Sequence, residues 1–496
     1  MALADTRHRL RLRIVKRPDA AFVRVAAMNN PTLVRTPPLT EEQLRKLDVQ
    51  GPRYTSYPTA DRFVEAFGPN EYRCALRQRA EGAIAGGALP LSLYIHIPFC
   101  ESLCYYCACN KIITKHKSRG AGYLELLAKE VDLHTAQLGR GQPVSQLHLG
   151  GGSPTFLSDD ELGQLMEMLR KSFKLIPQAE VSIEVDPRTA SRERMRNLAA
   201  MGFNRISFGV QDFDADVQAA VHRIQPYQSV ADLVGEARAL KFESINVDLI
   251  YGLPKQTPTS FARTIAQVSE LRPSRIALYA YAHLPTRFKP QRRIDGAALP
   301  TAEQRVQMLG DALAGFADNG YDYIGMDHFA LPDDALSVAK RQGRLHRNFQ
   351  GYTTQPDCDL IALGVSSIGR VGATYSQNAK TLAEYEDALQ HDEFPIVRGL
   401  ALTRDDIVRR AIIMSLMCQG RLEFESIELA YLVDMKRDFA TELERLKPLA
   451  EMGLVGIGER EIQVTATGWY FVRGVAMVFD KHLQADKVRE RFSRII

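Results

Sequence analysis

The chain has 496 residues, 45% of them hydrophobic and 25% charged, an ordinary globular composition with material for a large core. Lys and Arg total 63 against 59 for Asp and Glu, and a net charge of +4 gives no concentrated field for nucleic acid or an acidic membrane surface. Seven cysteines, four of them within Cys100–Cys109, exclude an evenly stapled secreted scaffold and point to a metal site in a reducing compartment.

In chain order, residues 1–40 read as a disordered basic tail. Arg7, Arg9, Arg11, Arg13, Lys16, Arg17 and Arg24 face only Asp5 and Asp19 in its first part, and the serines of a transit peptide are missing; Met28 is an alternative start. Thr40-Glu41-Glu42-Gln43 has helix-capping chemistry, and Gly51–Pro58 is a turn-rich aromatic segment. Gly82–Cys100 has no charged residue, but Pro90, Pro98 and several glycines break it, so it reads as a loop and a buried strand, not a membrane span.

From residue 91, strands at Leu91–Ile97, Gln146–Leu149, Glu180–Val185, Arg205–Val210, Ser244–Ile250 and Arg275–Tyr281 alternate with helices at Gly122–Ala136, Asp159–Phe173, Ser191–Met201, Asp214–Val221, Ser229–Leu240 and Pro258–Leu271. Such alternation implies an α/β fold with a parallel sheet, and six units suggest an open barrel. A helix over Ala302–Asn319 follows, then two polar aromatic stretches, Gly325–Phe329 and His346–Gln355. From Thr403 the chain is mainly helical. Glu442–Met452, Leu454–Val464 and a helix from Thr467 resemble a winged helix, read as a structural cap because it lacks a basic recognition helix.

Chemistry concentrates at the ends of the predicted strands, where open α/β sheets bind ligands. Cys100-x3-Cys104-x2-Cys107 follows the first strand. Three thiolates at this spacing hold three irons of a 4Fe–4S cluster and leave the fourth open to chelate S-adenosylmethionine (SAM). The alternatives are a structural zinc site, which normally pairs two cysteine units, and a closed cluster with Cys109 as fourth ligand, which would leave SAM no iron. Cys109 is therefore read as a neighbour that binds no iron. Gly150-Gly151-Gly152-Ser153 ends the second strand, where bare backbone can approach a ligand closely. Glu184, Gln211, Arg223 and Asp248 lie at or after later strands, and a lone buried Asp248 needs partners.

The chain resembles the oxygen-independent coproporphyrinogen III oxidase (coproporphyrinogen dehydrogenase) family of radical SAM enzymes from about Gly51 to its end. The resemblance rests on Gly51–Pro58, Tyr94-Ile-His96-Ile-Pro-Phe-Cys100, Cys107-Ala-Cys109, Val247–Pro254, Gly325-Met-Asp-His-Phe329 and His346-Arg-Asn-Phe-Gln-Gly-Tyr352. It implies a partial (β/α)6 barrel over residues 86–400, an N-terminal segment, 41–85, reaching over the active site, and a mainly helical C-terminal domain over 401–496. It also implies two SAM molecules. Tyr94, Gly151 and Glu184 would bind the one on the cluster, and Tyr106, Gly152, Ser153, Gln211, Arg223, Asp248, Ala282 and Ile368 the second. His96 and Cys109 stand where the family keeps residues needed for turnover.

The implied reaction is oxidative decarboxylation of two propionates of coproporphyrinogen III to vinyl groups, giving protoporphyrinogen IX in haem biosynthesis through a 5′-deoxyadenosyl radical. The expected setting is a cytoplasmic monomer served by a low-potential donor such as a flavodoxin or ferredoxin. The nearest rival is the related haem-chaperone branch, which lacks the Cys-x-Cys and carries a His-Asn-x-x-Tyr-Trp signature. Here Cys109 is present and the one Trp, Trp469, lies far from His346. A further rival, an electron-transfer protein with a closed cluster, would need Cys109 as a ligand.

Overall fold

The structure, a computed structural model, describes residues 47, 49–84, 89–326 and 328–485. The expected basic tail, the alternative start at Met28, the helix opened by Thr40 and the motif residue Asp327 lie outside them.

Helix α1 (Pro69–Ile84) leads to β1 (Leu91–Ile97). Five strand–helix alternations follow: α2 (Arg119–Leu138), β2 (Gln142–Gly151), α3 (Asp159–Ser172), β3 (Phe173–Val185), α4 (Arg192–Ala200), β4 (Arg205–Gln211), α5 (Tyr227–Ala239), β5 (Ser244–Tyr251), α6 (Pro258–Leu271) and β6 (Arg275–Ala280). Each strand from β1 to β6 pairs in parallel with the next, the order that helical crossovers produce. After α7 (Ala302–Asp318) come β7 (Asp322–Gly325) and β8 (His328–Ala330), with β8 antiparallel to β6.

On the other side of β1 lies a parallel β9 (Leu360–Leu363), and β10 (Ile368–Val371), β11 (Thr374–Asn378) and β12 (Ile396–Ala401) continue antiparallel. The described residues thus form one sheet of 12 strands whose end members, β12 and β7, do not pair with each other. This is the unclosed barrel of the expected α/β fold, with an N-terminal extension and a helical C-terminal region.

The barrel strands alternate, unlike the continuous apolar runs of sheets buried on both faces. Leu93, Ile95, Leu147, Leu149, Ile183, Val185, Val247 and Leu249 belong to the core under the helices. Their neighbours turn to the other face and bond across it: Ser92 to Gln146, His148 to Ser182 and Glu184, Ser207 to Asp248. The barrel therefore has a polar interior. Ser158 and Glu161 form a capping box that starts α3 where the sequence predicts. Strand β3 begins earlier than the predicted Glu180, because Phe173–Leu175 already pair with Gln142–Val144.

The C-terminal region contains α8 (Arg404–Gln419), α9 (Phe424–Tyr431) and α10 (Ala440–Glu451), with a three-stranded sheet of Arg421–Glu423, Val455–Ile457 and Glu461–Val464. Ile412, Leu416, Leu446, Ile462 and Val475 share a core there with Tyr54 and Tyr57 of the N-terminal segment. Tyr54 donates to Asp480 at 3.0 Å. No helix among the described residues is long and apolar enough to cross a membrane.

Candidate active site

The thiol loop leaves β1 at Pro98 and is held from two sides. Ile112 N–H donates to the Pro98 carbonyl at 2.7 Å, and Lys111 Nζ reaches the Cys107 and Cys109 carbonyls at 3.1 and 3.3 Å. Cys104 is buried, and its Sγ accepts from Arg188 Nη2 and Arg223 Nη1, both at 3.4 Å. Both guanidinia also pair with Asp186, at 2.6 and 3.2 Å, so they cannot turn away from the sulfur. A hydrogen bond from Cys109 holds the Cys107 thiol down, to about 6, with help from Lys111, while the same bond pushes Cys109 up. Of these two cysteines, Cys107 is the thiolate.

No three His, Cys, Asp or Glu side chains among the described residues gather around the position of a single metal ion. Thiols spread along one loop suit a polynuclear cluster, in which each sulfur meets a different iron. The loop after β2 supplies a bare cradle beside them. Gly152 N–H donates to Ile97 O at 2.8 Å and Ser153 N–H to Phe99 O at 2.9 Å. A Cβ at Gly152 would meet the Pro98 backbone at 2.7 Å, and Gly151 has φ +114°. A cavity of about 310 Å³ opens next to this loop, lined by Glu101, Ser153, Asp186, Arg188 and Thr189 among others. Thiols, guanidinia and glycine cradle together fit a cluster with a small polar ligand on it.

Glu184 accepts from Gly151 N–H at 3.2 Å and lies 3.3 Å from His148 Nε2. Burial pushes its pKa up, but His148 and the Gly151 amide outweigh this and hold it below the usual carboxylate range. His96 is bonded on both ring nitrogens: Nδ1 lies 3.1 Å from Tyr94 Oη and Nε2 lies 3.0 Å from the Asn110 carbonyl. The carbonyl can only accept, so Nε2 carries the proton and Tyr94 donates to Nδ1. Burial lowers the His96 pKa, which keeps the ring neutral. The Tyr94 ring stacks on His148, centroids 5.9 Å apart.

Deeper in the barrel, Asp248 accepts from Ser207 Oγ at 2.8 Å and Asn246 Nδ2 at 2.9 Å. Gln211 ends β4 with φ 69°, and a Cβ at Gly209 would stand 3.0 Å from both the Arg223 and the Gln211 side chains. The structure thus brings Tyr94, His96, the cysteines, Gly151–Ser153, Glu184, Gln211, Arg223 and Asp248 to one end and the interior of the barrel. Ile368 opens β10, which runs antiparallel beside β9, two strands from β1 on the side away from β2.

Against known proteins, the Radical SAM superfamily model matches residues 94–268, and the HemN C-terminal domain model matches 402–471. Oxygen-independent coproporphyrinogen III oxidase of Pseudomonas aeruginosa is 48% identical over 455 residues, 91% of this chain and 98% of the relative. Its Escherichia coli counterpart is 47% identical over 453 residues, 91% of this chain and 97% of the relative. The chain belongs to the oxygen-independent coproporphyrinogen III oxidase family. A solved structure of the Escherichia coli protein, titled as coproporphyrinogen III oxidase (HemN) and a radical SAM enzyme, superposes with a TM-score of 0.83 at 47% identity and covers 87% of this chain and 97% of that chain.

Membership makes this chain a radical SAM oxidoreductase and draws attention to residues that sequence reasoning misses. Gln291 is buried, and its Nε2 donates to the carbonyls of both Tyr106 and Ala282, at 3.0 and 3.1 Å. It joins two residues of the expected second SAM site from outside both motifs. Arg188 and His148 are the other omissions; a strand-end position is the one signal either carries in the sequence.

Proposed function

We propose that this chain decarboxylates coproporphyrinogen III oxidatively without oxygen, converting two propionates to vinyl groups and giving protoporphyrinogen IX. Each propionate gives up a hydrogen atom from its β-carbon to the deoxyadenosyl radical, then releases CO2 and passes one electron to an external one-electron acceptor, which leaves the vinyl group. Family membership supports the reaction. The local observation that carries it is the meeting, at the mouth of a polar barrel, of a thiol loop, a bare glycine cradle and an ionised Glu184.

Cys100, Cys104 and Cys107 would hold a 4Fe–4S cluster, with Cys109 beside them outside the cluster. When bound, the cluster and SAM supply one-electron cleavage of a carbon–sulfur bond and so the hydrogen-abstracting chemistry. The chain's own part is aim and charge. Arg188 and Arg223 steady the anionic sulfur side through Cys104. Gly151, with no side chain to block approach, and the Glu184 carboxylate that its amide steadies would face the amino-acid and ribose parts of SAM, with Tyr94 packed alongside. Neutral His96 ties Tyr94 to the exit of the thiol loop. Tyr106, Ala282, Arg223 and Asp248 border the place of a second SAM, with Gln291 fixing the first two.

All seven cysteines are free thiols, which supports a reducing, cytoplasmic setting; the donor, a flavodoxin or ferredoxin, follows from the family resemblance. We also read residues 86–400 as the catalytic domain and 401–496 as a structural cap. The test is anaerobic incubation of reconstituted protein with SAM, a reductant and coproporphyrinogen III. Protoporphyrinogen together with 5′-deoxyadenosine is expected. Deoxyadenosine with no vinyl product would overturn the oxidase reading and leave the radical chemistry standing.

A further inference from the structure

The hairpin His346–Asn348 and Gly351–Thr353 holds an arginine whose charge the proposed mechanism does not use. Asn348 Oδ1 accepts from Gln350 N–H at 2.9 Å, and Gly351 has φ +110°, a combination that turns the chain tightly and pairs Arg347 with Tyr352 across the strands. Arg347 is 5% exposed. Its Nε donates to the Arg53 carbonyl at 3.1 Å, and its guanidinium lies 4.7 Å from the centre of the Tyr352 ring. Nη1 has no hydrogen-bond partner among the described residues, and neither has the buried side-chain amide of Gln350 in the same turn.

Other arginines in this region are matched by acids. Arg205 pairs with Glu180, Arg275 with Asp334, Arg188 and Arg223 with Asp186, and Arg370 and Arg410 with Asp357. Arg347 forms no ion pair among the described residues. Burial lowers its pKa; the Tyr352 hydroxyl offsets part of that, and the Arg53 guanidinium adds to it. A buried cation so placed is stabilised by an anion from outside the chain. Arg53 itself lies 5.3 Å from the centre of the Tyr279 ring and donates to Met326 O at 3.2 Å.

The position suits a substrate group. Arg347 lines a cavity of about 250 Å³ whose wall includes Ser92 near the start of β1 and its pairing partner Gln146 within β2, with Thr55, Asn348 and Thr353. Tyr279, on the inner face of β6, feels the charges of Asp248 and Glu184 as well as those of Arg53 and Arg347. Through the Arg53 carbonyl that it holds, and the Arg53 guanidinium over the Tyr279 ring, Arg347 abuts the inner wall of β6, whose Ala277 pairs with Asp248 of β5. We propose that Arg347 binds a propionate carboxylate of the tetrapyrrole, with the Arg53 charge reinforcing it. A planar guanidinium with a free edge is built for a carboxylate. The inference rests on the proposed reaction, because that substrate brings four carboxylates.

The test compares binding of coproporphyrin III and its tetramethyl ester to reconstituted wild-type, Arg347→Gln and Arg347→Lys proteins, alongside KM and kcat for coproporphyrinogen III. Arg347→Gln should weaken binding of the tetra-acid and raise KM by roughly 10- to 100-fold, the loss expected for one charge-assisted contact, while its affinity for the ester stays at the wild-type value. Arg347→Lys should recover part of the tetra-acid affinity. Iron content and thermal melting identify a variant that fails to fold; if Arg347→Gln is one, the Lys variant and the wild-type preference for acid over ester decide. Equal losses for acid and ester, or wild-type affinity for the acid in Arg347→Gln, would overturn the inference. Failure of the wild-type protein to make vinyl product would instead count against the proposed reaction.

Discussion

Asp248 shows how the barrel interior treats a single carboxyl. Burial first, then the charge of Glu184, lifts its pKa to about 6, against the hydrogen bonds from Ser207 and Asn246. The folded-state pKa lies above the unfolded one, so the folded chain holds the extra proton between about pH 4 and 6. The stability this gives is complete below the unfolded pKa and is lost as pH rises through about 6. Asp248→Asn should therefore melt higher than the parent at pH 7.5, by about 1–3 kcal/mol, with the advantage shrinking toward zero as pH falls to about 4. A constant difference across that range in thermal denaturation would contradict the assignment. Cys109 is tested more simply. Cys109→Ser should keep the iron content and visible absorption of the 4Fe–4S cluster, whereas Cys104→Ser should lose both; loss of the cluster in Cys109→Ser would favour a closed, four-thiolate site.

At the scale of elements, the contact between the loop after β2 and the chain leaving β1 decides whether the site forms. A Cβ at Gly152 points at backbone atoms of Pro98 and Phe99, not at a flexible side chain that can yield. Gly152→Ala should lower stability by about 1–3 kcal/mol and reduce iron incorporation; an unchanged melting temperature and iron content would show that the two loops separate easily. These elements are legible in the sequence because each signal is local. Alternation marks β1, β2 and β3, Ser158 with Glu161 marks the start of α3, and the thiols lie close together. The strands β9 to β12 are not legible, since runs as short as Leu360–Leu363 carry little periodicity. Gln291 is hidden for another reason: its bond to Tyr106 spans 185 residues, and nothing near it in sequence indicates the partner.

Across the whole molecule, the unclosed barrel depends on parts distant in the chain. Tyr54 meets Asp480 across 426 residues, and Arg53 lies over Tyr279 of the barrel beside the hairpin that carries Arg347. Glu130, on α2, accepts from Gly364 N–H, Asn378 Nδ2 and Tyr385 Oη, at 2.7, 2.6 and 2.6 Å, and so ties the barrel to β9 through β11 and the segment after them. The family resemblance foresees this assembly from motifs such as Gly51–Pro58 and His346–Tyr352, while composition and periodicity alone stop at an open α/β barrel. The most direct test of the account uses coproporphyrinogen III labelled with carbon-13 at its propionate carboxyls, incubated anaerobically with reconstituted protein, a reductant and SAM. The account predicts two labelled CO2 per divinyl product, none when SAM is omitted. SAM cleavage without labelled CO2, or CO2 release independent of SAM, would contradict it.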